Sequence, residues 1–200
     1  MLPGAAGDIN HRARAATFMP PGGPRKAEQI GRAIAGAAIY AVERSNPLAG
    51  SEVDGLLERI PVPYYTRSAA LRAKVEAMRG REDLHEMDRY LIAKFDDWPH
   101  DGESRPIPVQ VLRVGEAAFA AFPAEMFVEL GLAVKRFSPA GATFVVELAN
   151  ARASTYIPTL DKAERGAYGT IPLLSRLLDS SAGPRLTDAA IAMIDRLWAG

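Results

Sequence analysis

The chain has 200 residues, of which 48% are hydrophobic and 24% are charged, so it is long enough for one soluble globular domain with a real core. Lys and Arg together number 24, as do Asp and Glu, so no long-range field favours nucleic acid as a partner. The absence of cysteine excludes disulfides, thiolate metal sites and a cysteine nucleophile, which leaves His, Asp, Glu and Tyr as metal ligands.

The amino-terminal residues form a Gly-rich stretch that contains Asp8 and Asn10. Such a loop normally follows a strand that positions it, but only Met1–Pro3 precede it here. A flexible tail and the first part of a fragment are both compatible with this pattern. The stretch lacks the basic and apolar segments of a signal peptide, and no apolar run of about 18 residues is present. No transmembrane segment is therefore predicted, and the compartment stays unassigned, with the cytoplasm as the default.

The first half of the chain is predicted to contain three helices and one strand. Apolar residues at helical spacing predict a helix over Arg25–Arg44, and its many small residues indicate close packing against a sheet or another helix. Glu52–Tyr65 ends in two prolines, which favours an edge strand. Ser68–Met78 and Asp83–Trp98 follow as two helices. We expect the two histidines of this region, His85 and His100, to be solvated surface residues and not metal ligands.

The second half is predicted to form a sheet with flanking helices. Val109–Val114 and Ala117–Phe122 form an antiparallel hairpin, followed by a helix over Met126–Phe137 and a strand over Thr143–Leu148. After a polar loop over 149–155, residues 159–169 are predicted as a short helix or loop. Residues 171–178 are apolar and suit a helix that packs on the sheet. A helix capped by Thr187 is predicted to run to Trp198. The fold class is α/β, a mixed sheet flanked by helices in a single domain over 1–200.

Two side chains with ligand chemistry lie just past predicted strands. Glu125 follows the second hairpin strand, and Tyr156 follows the polar loop after the third strand. In sheets packed against helices, ligands and catalytic groups collect at such strand ends. Glu125 also opens a predicted helix, where a carboxylate is favoured electrostatically. From the residues alone, both a surface carboxylate and a metal ligand remain open.

The same stretch resembles a known enzyme family. Pro123-Ala124-Glu125 after a strand, then a helix, a strand, Ala149-Asn150 and Tyr156-Ile157-Pro158-Thr159 resemble the neutral/alkaline, non-lysosomal ceramidases. The opening segment Gly4–His11 resembles the G-D-x-S-P-N segment that lines the active site of this family. Asn10 stands at the position of the family's Ser, and His11 stands at the position of its Pro.

The resemblance implies a catalytic zinc with Glu125 and Tyr156 among its ligands. The family's two histidine ligands belong to a part of the domain before the Gly-rich loop, so they are expected from outside this chain. The chain would then be the C-terminal part of a larger ceramidase-like catalytic domain. Asp8, Asn10 and His11 are the candidate catalytic residues. Asn10 can donate a hydrogen bond to a carbonyl or oxyanion, Asp8 can orient the loop, and His11 can act as a base.

The function implied by this resemblance is a zinc-dependent hydrolase of a linear amide, an N-acyl bond, by attack of zinc-bound water. The substrate would be a small-molecule amide or a lipid. Two alternatives are an inactive truncated remnant and one chain of an enzyme that a second chain completes. Because a half-built sheet would leave apolar strand faces bare, we also expect self-association.

Overall fold

The computed structural model describes residues 2–10, 22–150 and 154–199. The chain divides into two units, one made of Met1–Ile9 with Ser51–Gly200 and the other made of Asn10–Gly50. No helix in these described ranges combines the length and the apolar character needed to cross a bilayer.

The second unit contains one long helix, α1, over Pro24–Glu43. Gly23 precedes it with a φ of 94°, and proline occupies its first turn, where a missing N–H breaks no helical hydrogen bond. The predicted helix is therefore confirmed. None of its residues is buried, in contrast to the close packing predicted from its alanines and glycines.

The first unit contains six strands and five helices among its described residues. In chain order the elements up to the second hairpin strand are β1 (Val53–Pro63), α2 (Ala69–Met78), α3 (Glu86–Asp96), β2 (Ser104–Val114) and β3 (Ala117–Ala121). They are followed by β4 (Glu125–Met126), α4 (Val128–Phe137), β5 (Ala142–Val146), β6 (Tyr156–Ile157), α5 (Leu160–Glu164) and α6 (Ala182–Ala199). The predicted α/β fold with a mixed sheet and flanking helices is confirmed.

The main sheet has the strand order β1-β2-β3-β5. β1 pairs antiparallel with β2 along its whole length, from Val53↔Val114 to Pro63↔Ser104, and it lies at the sheet edge, as its prolines predicted. β2 and β3 form the predicted hairpin around Gly115, whose φ is 54°. β5 is parallel to β3, and β4 and α4 connect the two strands.

One face of this sheet is covered by α4 and α6. Strand residues with the same orientation and the helix residues facing them form the main core, which includes Val109, Val111, Ala118, Ala120, Val145, Val134, Leu186, Met193 and Ile194. A second, smaller core joins α2, α3 and Leu173. The core thus lies on one side of the sheet and at one of its ends.

The opposite side, here called the open face, carries Leu57, Leu112, Phe119 and Phe144. Leu57, Leu112 and Phe144 are 57%, 42% and 44% exposed. The rings of Phe119 and Phe144 stack with centroids 5.0 Å apart. Strands that are apolar on both faces are typical of sheets covered on both sides, so this face is unusually apolar for one that contacts water.

Three predicted features differ from the structure, and tertiary contacts explain the first two. α4 begins at Val128 instead of Met126, because Glu125 and Met126 pair with β6. Residues 171–178 form turns and bridges instead of a helix, since their backbone carbonyls accept from Tyr156 (3.0 Å) and Tyr65 (2.9 Å). α6 begins at Ala182, so Thr187 lies inside the helix, where its buried Oγ1 has no hydrogen-bond partner among the described residues.

Candidate functional site

The two predicted metal-ligand positions lie side by side in a two-stranded parallel pair. β4 and β6 align with Glu125 opposite Tyr156 and Met126 opposite Ile157. The amide of Glu125 donates to the carbonyl of Thr155 at 2.9 Å, and the amide of Phe127 donates to that of Ile157 at 3.0 Å. Residues directly opposite in such a ladder point to the same side, so a carboxylate and a phenol occupy one surface.

β4 and β6 can pair because the segments that lead to them leave the main sheet at the same end of its strands. β3 and β5 are parallel neighbours, so their carboxyl ends lie together. Just beyond them, the amide of Phe122 donates to the carbonyl of Val146 at 2.9 Å, and the amide of Ala149 donates to the carbonyl of Phe122 at 2.9 Å. The chain then continues from these contacts into β4 on one side and toward β6 on the other.

The Gly-rich amino-terminal loop packs against β4. The amide of Gly7 donates to the carbonyl of Met126 at 2.8 Å. A Cβ at position 7 would lie 2.7 Å from the carbonyl oxygen of Glu125, a contact that real Cβ atoms do not make. Only glycine therefore allows this loop to approach the backbone of Glu125 so closely.

Asp8 joins this loop to two helices. Its Oδ1 accepts from the amide of Val128 at 2.8 Å, at the first residue of α4, where the N-cap residue Phe127 provides no side-chain acceptor. Its Oδ2 accepts from Nζ of Lys162 at 2.5 Å, and Lys162 also bonds Glu129 at 2.5 Å. Burial opposes the charge of Lys162, but its bonds to Asp8 and Glu129 outweigh burial and raise its pKa. Asp8 thus holds the loop in place through both of its oxygens.

The two other candidate catalytic residues are placed differently. Asn10 is an exposed residue at the start of the second unit. His11 lies outside the described residues, as do residues 151–153 of the predicted polar loop. The structure therefore brings Asp8, Glu125 and Tyr156 into one region of the first unit.

Tyr156 lies beside a second tyrosine, Tyr168, which no sequence pattern singles out. The two hydroxyls are 3.4 Å apart, and the rings meet edge to face with centroids 5.6 Å apart. The hydrogen bond with Tyr168 raises the pKa of Tyr156 most, and burial and the nearby charge of Glu125 raise it further. Gly169 packs directly against the ring of Tyr156, since a Cβ at position 169 would lie 2.8 Å from a ring carbon. In this chain, Tyr156 is therefore a neutral phenol.

A buried carboxylate, Glu147, lies next to these residues and was also missed. It follows β5 directly, is 7% exposed, and its Oε2 accepts from the amide of Ala6 at 3.2 Å. Burial raises the pKa of Glu147, the bond from Ala6 lowers it, and the charge of Glu125 raises it again. The sequence signal that could have identified Glu147 is its position as a charged residue at the end of the apolar strand predicted over Thr143–Leu148. A charged residue in such a strand is not expected to be solvated.

The two histidines outside this region are engaged elsewhere. His85 precedes α3, and its ring nitrogen accepts from the amide of Met87 at 3.3 Å. His100 stacks on Tyr64, with ring centroids 4.1 Å apart, and bonds Glu103 at 2.8 Å. Its side chain is 34% exposed, so it is less solvated than expected.

A metal centre requires several ligands around one ion. Over 2–10, 22–150 and 154–199, no group of three or more His, Cys, Asp or Glu side chains is arranged to hold a metal ion. The oxygen donors of Glu125 and Tyr156 suit a divalent cation, but a catalytic zinc needs three or four protein or water ligands. Glu125 and Tyr156 would supply two of those ligands.

An open cavity of about 400 Å³ adjoins the segment that leads into β6. Ser154 and Thr155 form one wall, immediately before Tyr156, and Trp98 and the leucines of 173–177 form others. Lys94 and Arg105 contribute positive charge. The cavity combines apolar and polar walls, as small-molecule sites do.

Comparison with known proteins identifies the fold. No protein family model matches the chain, and no curated protein matches it. Among solved structures, it is similar to neutral ceramidase from Pseudomonas aeruginosa, with a TM-score of 0.62 and 16% identity over 89% of this chain and 34% of that chain. A ceramidase complexed with C2 gives a TM-score of 0.48 and 14% identity over 76% of this chain and 31% of that chain. The chain thus spans about a third of the length of these ceramidases, and the first similarity shows that it has a ceramidase-like fold.

Proposed function

We propose that this chain is part of a ceramidase-like hydrolase that cleaves a linear amide, an N-acyl bond, with the help of zinc. The observation that supports the proposal is the register pair Glu125↔Tyr156, in which two oxygen-bearing side chains lie together near the carboxyl ends of β3 and β5. The similarity of the fold to a neutral ceramidase supports the same reaction class. The substrate is a small-molecule amide or a lipid.

Zinc, when bound, polarises a carbonyl and makes water a stronger nucleophile near neutral pH. Glu125 supplies an anionic oxygen to the metal. Tyr156 would supply a phenol oxygen, and because its pKa is raised in this chain, it would lose its proton to solvent only when a cation binds beside it. Tyr168 holds the phenol in orientation through the contact between the two hydroxyls.

The amino-terminal loop has the supporting role in this proposal. Asp8 fixes the loop against α4 and α5, as its two hydrogen bonds indicate. Asn10 donates a hydrogen bond to the substrate carbonyl, which is compatible with attack by water but not with an acyl-enzyme at this position. His11, next to it in sequence, acts as a base.

The metal centre needs further ligands, which we propose are two histidines from polypeptide outside these 200 residues. If a separate chain supplies them, the protein is one half of a two-chain enzyme. The competing function, from a different class, is a metal-free remnant that binds a partner without catalysis. Zinc affinity separates the catalytic readings from the remnant.

The test is calorimetric titration of the 200-residue chain with zinc chloride, followed by an assay with a fluorescent N-acyl amide. We expect measurable zinc binding that Glu125→Gln and Tyr156→Phe each weaken at least tenfold. Glu86→Gln and Tyr90→Phe, at exposed positions on α3, serve as matched controls and should leave binding unchanged. Binding that is absent, or equal in all five proteins, would favour the remnant.

A further inference from the structure

The short strand β4 has hydrogen-bonding groups on two sides, and only one side faces β6. The amides of Glu125 and Phe127 point to β6, so the N–H and C=O of the intervening Met126 point the other way. Gly7 donates to that carbonyl at 2.8 Å. Because a buried backbone group without a partner is costly, something on this side must also meet the amide of Met126.

The side chain of Glu147 lies on that side. Its carboxylate receives the amide of Ala6 at 3.2 Å. Burial raises the pKa of Glu147, and the amide of Met126 acts in the opposite direction. The side chain therefore holds the loop at Ala6. The adjacent Gly7 joins the loop to β4 through the carbonyl of Met126.

The backbone of Glu147 is held as firmly as its side chain. Its amide donates to the carbonyl of Pro3 at 3.0 Å. The next residue, Leu148, has a φ of 57°, a left-handed conformation that costs a residue with a side chain about 1–2 kcal/mol. The chain adopts it in a turn where the amide of Leu148 donates to the carbonyl of Ala124 at 3.3 Å.

We propose that Glu147 is a positioning residue of the candidate metal centre: its carboxylate holds the loop Pro3–Asp8 against β4 and so fixes the backbone of Glu125. This role rests on the proposed function, in which Glu125 binds zinc. The role depends on the length of the side chain, here called its reach, because the carboxylate must extend from the end of β5 to the amide of Ala6. The charge of Glu147 is not what the role requires, since a neutral side chain of the same length offers the same acceptor oxygen.

Two variants separate reach from charge. Glu147→Gln keeps the length and an acceptor oxygen but removes the charge, whereas Glu147→Asp keeps the charge and withdraws the oxygens by one methylene. Glu86→Asp, at an exposed position in the first turn of α3, is the matched control for shortening a glutamate. Amide hydrogen exchange is measured by NMR at Ala6 and Gly7, and at Ala120 and Ile194 in the buried core. Zinc affinity is measured with the metal alone.

We expect Glu147→Asp to speed exchange at Ala6 and Gly7 at least tenfold and to weaken zinc binding at least fivefold. Exchange at the two core amides stays within twofold, and Glu147→Gln and Glu86→Asp stay within twofold of the parent chain in every measurement. A purely structural role would raise exchange in the core as much as in the loop, and that result would overturn the proposal.

Two other results also decide the question. If Glu147→Gln weakens zinc binding as much as Glu147→Asp does, the carboxylate acts through its charge, and the positioning role is wrong. If the parent chain binds no zinc, the proposed function loses its support. In that case, unchanged exchange at Ala6 and Gly7 in Glu147→Asp would still show separately that Glu147 does not hold the loop.

Discussion

Glu125 and Tyr156 are register partners in the parallel pair β4–β6, so a carboxylate and a phenol from two separate segments share one surface. The hydrogen bond with Tyr168 raises the pKa of Tyr156 most, and the charge of Glu125 contributes to the rise. A cation beside them favours the ionised form of Tyr156 and is attracted to the carboxylate of Glu125. The pair is therefore most favourable with a metal or another positive charge beside it.

Tyr168→Phe is expected to lower the pKa of Tyr156 toward the ordinary tyrosine value of about 10, because the hydrogen bond with Tyr168 is the largest cause of its rise. A group whose pKa is raised by folding contributes its full stability below the unfolded pKa and loses it at higher pH. The parent chain therefore loses this contribution as pH rises above about 10, toward the folded pKa of Tyr156. Tyr168→Phe loses its smaller contribution over a narrower pH range, because the folded and unfolded pKa values of Tyr156 are closer together. Tyrosinate absorbance during a pH titration measures the change, and Tyr90→Phe is the control. An unchanged titration of Tyr156 would contradict the assignment.

Gly169→Ala is expected to reduce the free energy of unfolding by about 2–4 kcal/mol, since it adds a clash to an unfavourable backbone conformation. Gly169 has a φ of 75°, and its Cβ would lie 2.8 Å from the ring of Tyr156. Gly166 has a φ of 68° but nothing within 4 Å of a Cβ, so Gly166→Ala isolates the backbone cost, about 1–2 kcal/mol. Urea unfolding measures both. Equal losses in the two variants would show that the ring of Tyr156 moves aside freely.

Asp8→Ala is expected to reduce the free energy of unfolding by about 1–3 kcal/mol, because it removes both the cap of α4 and the bond to Lys162. Asp8→Asn keeps an acceptor for the amide of Val128 and is expected to lose less. Lys162→Met combined with Asp8→Asn should cost less than the sum of the two, since each removes the same ion pair. Asp54→Ala is the control, because Asp54 is exposed and accepts a hydrogen bond from the adjacent amide of Gly55. Strict additivity in urea unfolding would argue against the Asp8–Lys162 interaction.

Phe144→Thr and Leu112→Thr are expected to reduce self-association and the binding of a hydrophobic dye, because both side chains lie on the open face. Their effect on the free energy of unfolding should stay within about 1 kcal/mol, as for other exposed positions. Phe122→Thr, at a fully buried position, is the contrast and should cost about 3–5 kcal/mol. Light scattering and urea unfolding measure the two effects. Unchanged dye binding in both variants would show that the open face is not an adhesive surface.

The hairpin, the edge strand and the helices α1 to α3 could be predicted because their signals are local. Alternating apolar residues, the two prolines of β1 and the capping residue Ser68 each determine the structure of the few residues next to them. The start of α4 could not be predicted in the same way. The local sequence at Glu125 and Met126 favours a helix. Pairing with β6 instead gives these two residues an extended strand conformation.

The apolar stretch 171–178 shows the same limit. Leu173, Leu174 and Leu178 fit a buried helix by composition. In the structure, however, backbone carbonyls of this stretch accept hydrogen bonds from the amides of Tyr65 and Tyr156. In the candidate site, Glu125 and Tyr156 were predicted from a family resemblance, since neither residue type is diagnostic by itself. Tyr168 and Glu147 were missed because their significance depends on neighbours that only the folded chain provides.

The long sequence separations at the amino-terminal loop also determine when this region can form during synthesis. Ala6 bonds Glu147 across a sequence separation of 141 residues, and Asp8 bonds Lys162 across 154. Closing loops of that length costs about 4 kcal/mol of chain entropy beyond the fixed term. The loop leaves the ribosome before its partners, which emerge only after most of these 200 residues have been made. We therefore expect residues 3–8 to stay accessible to proteases and chaperones until late in translation, and the region around Glu125 to be the last part of the fold to close.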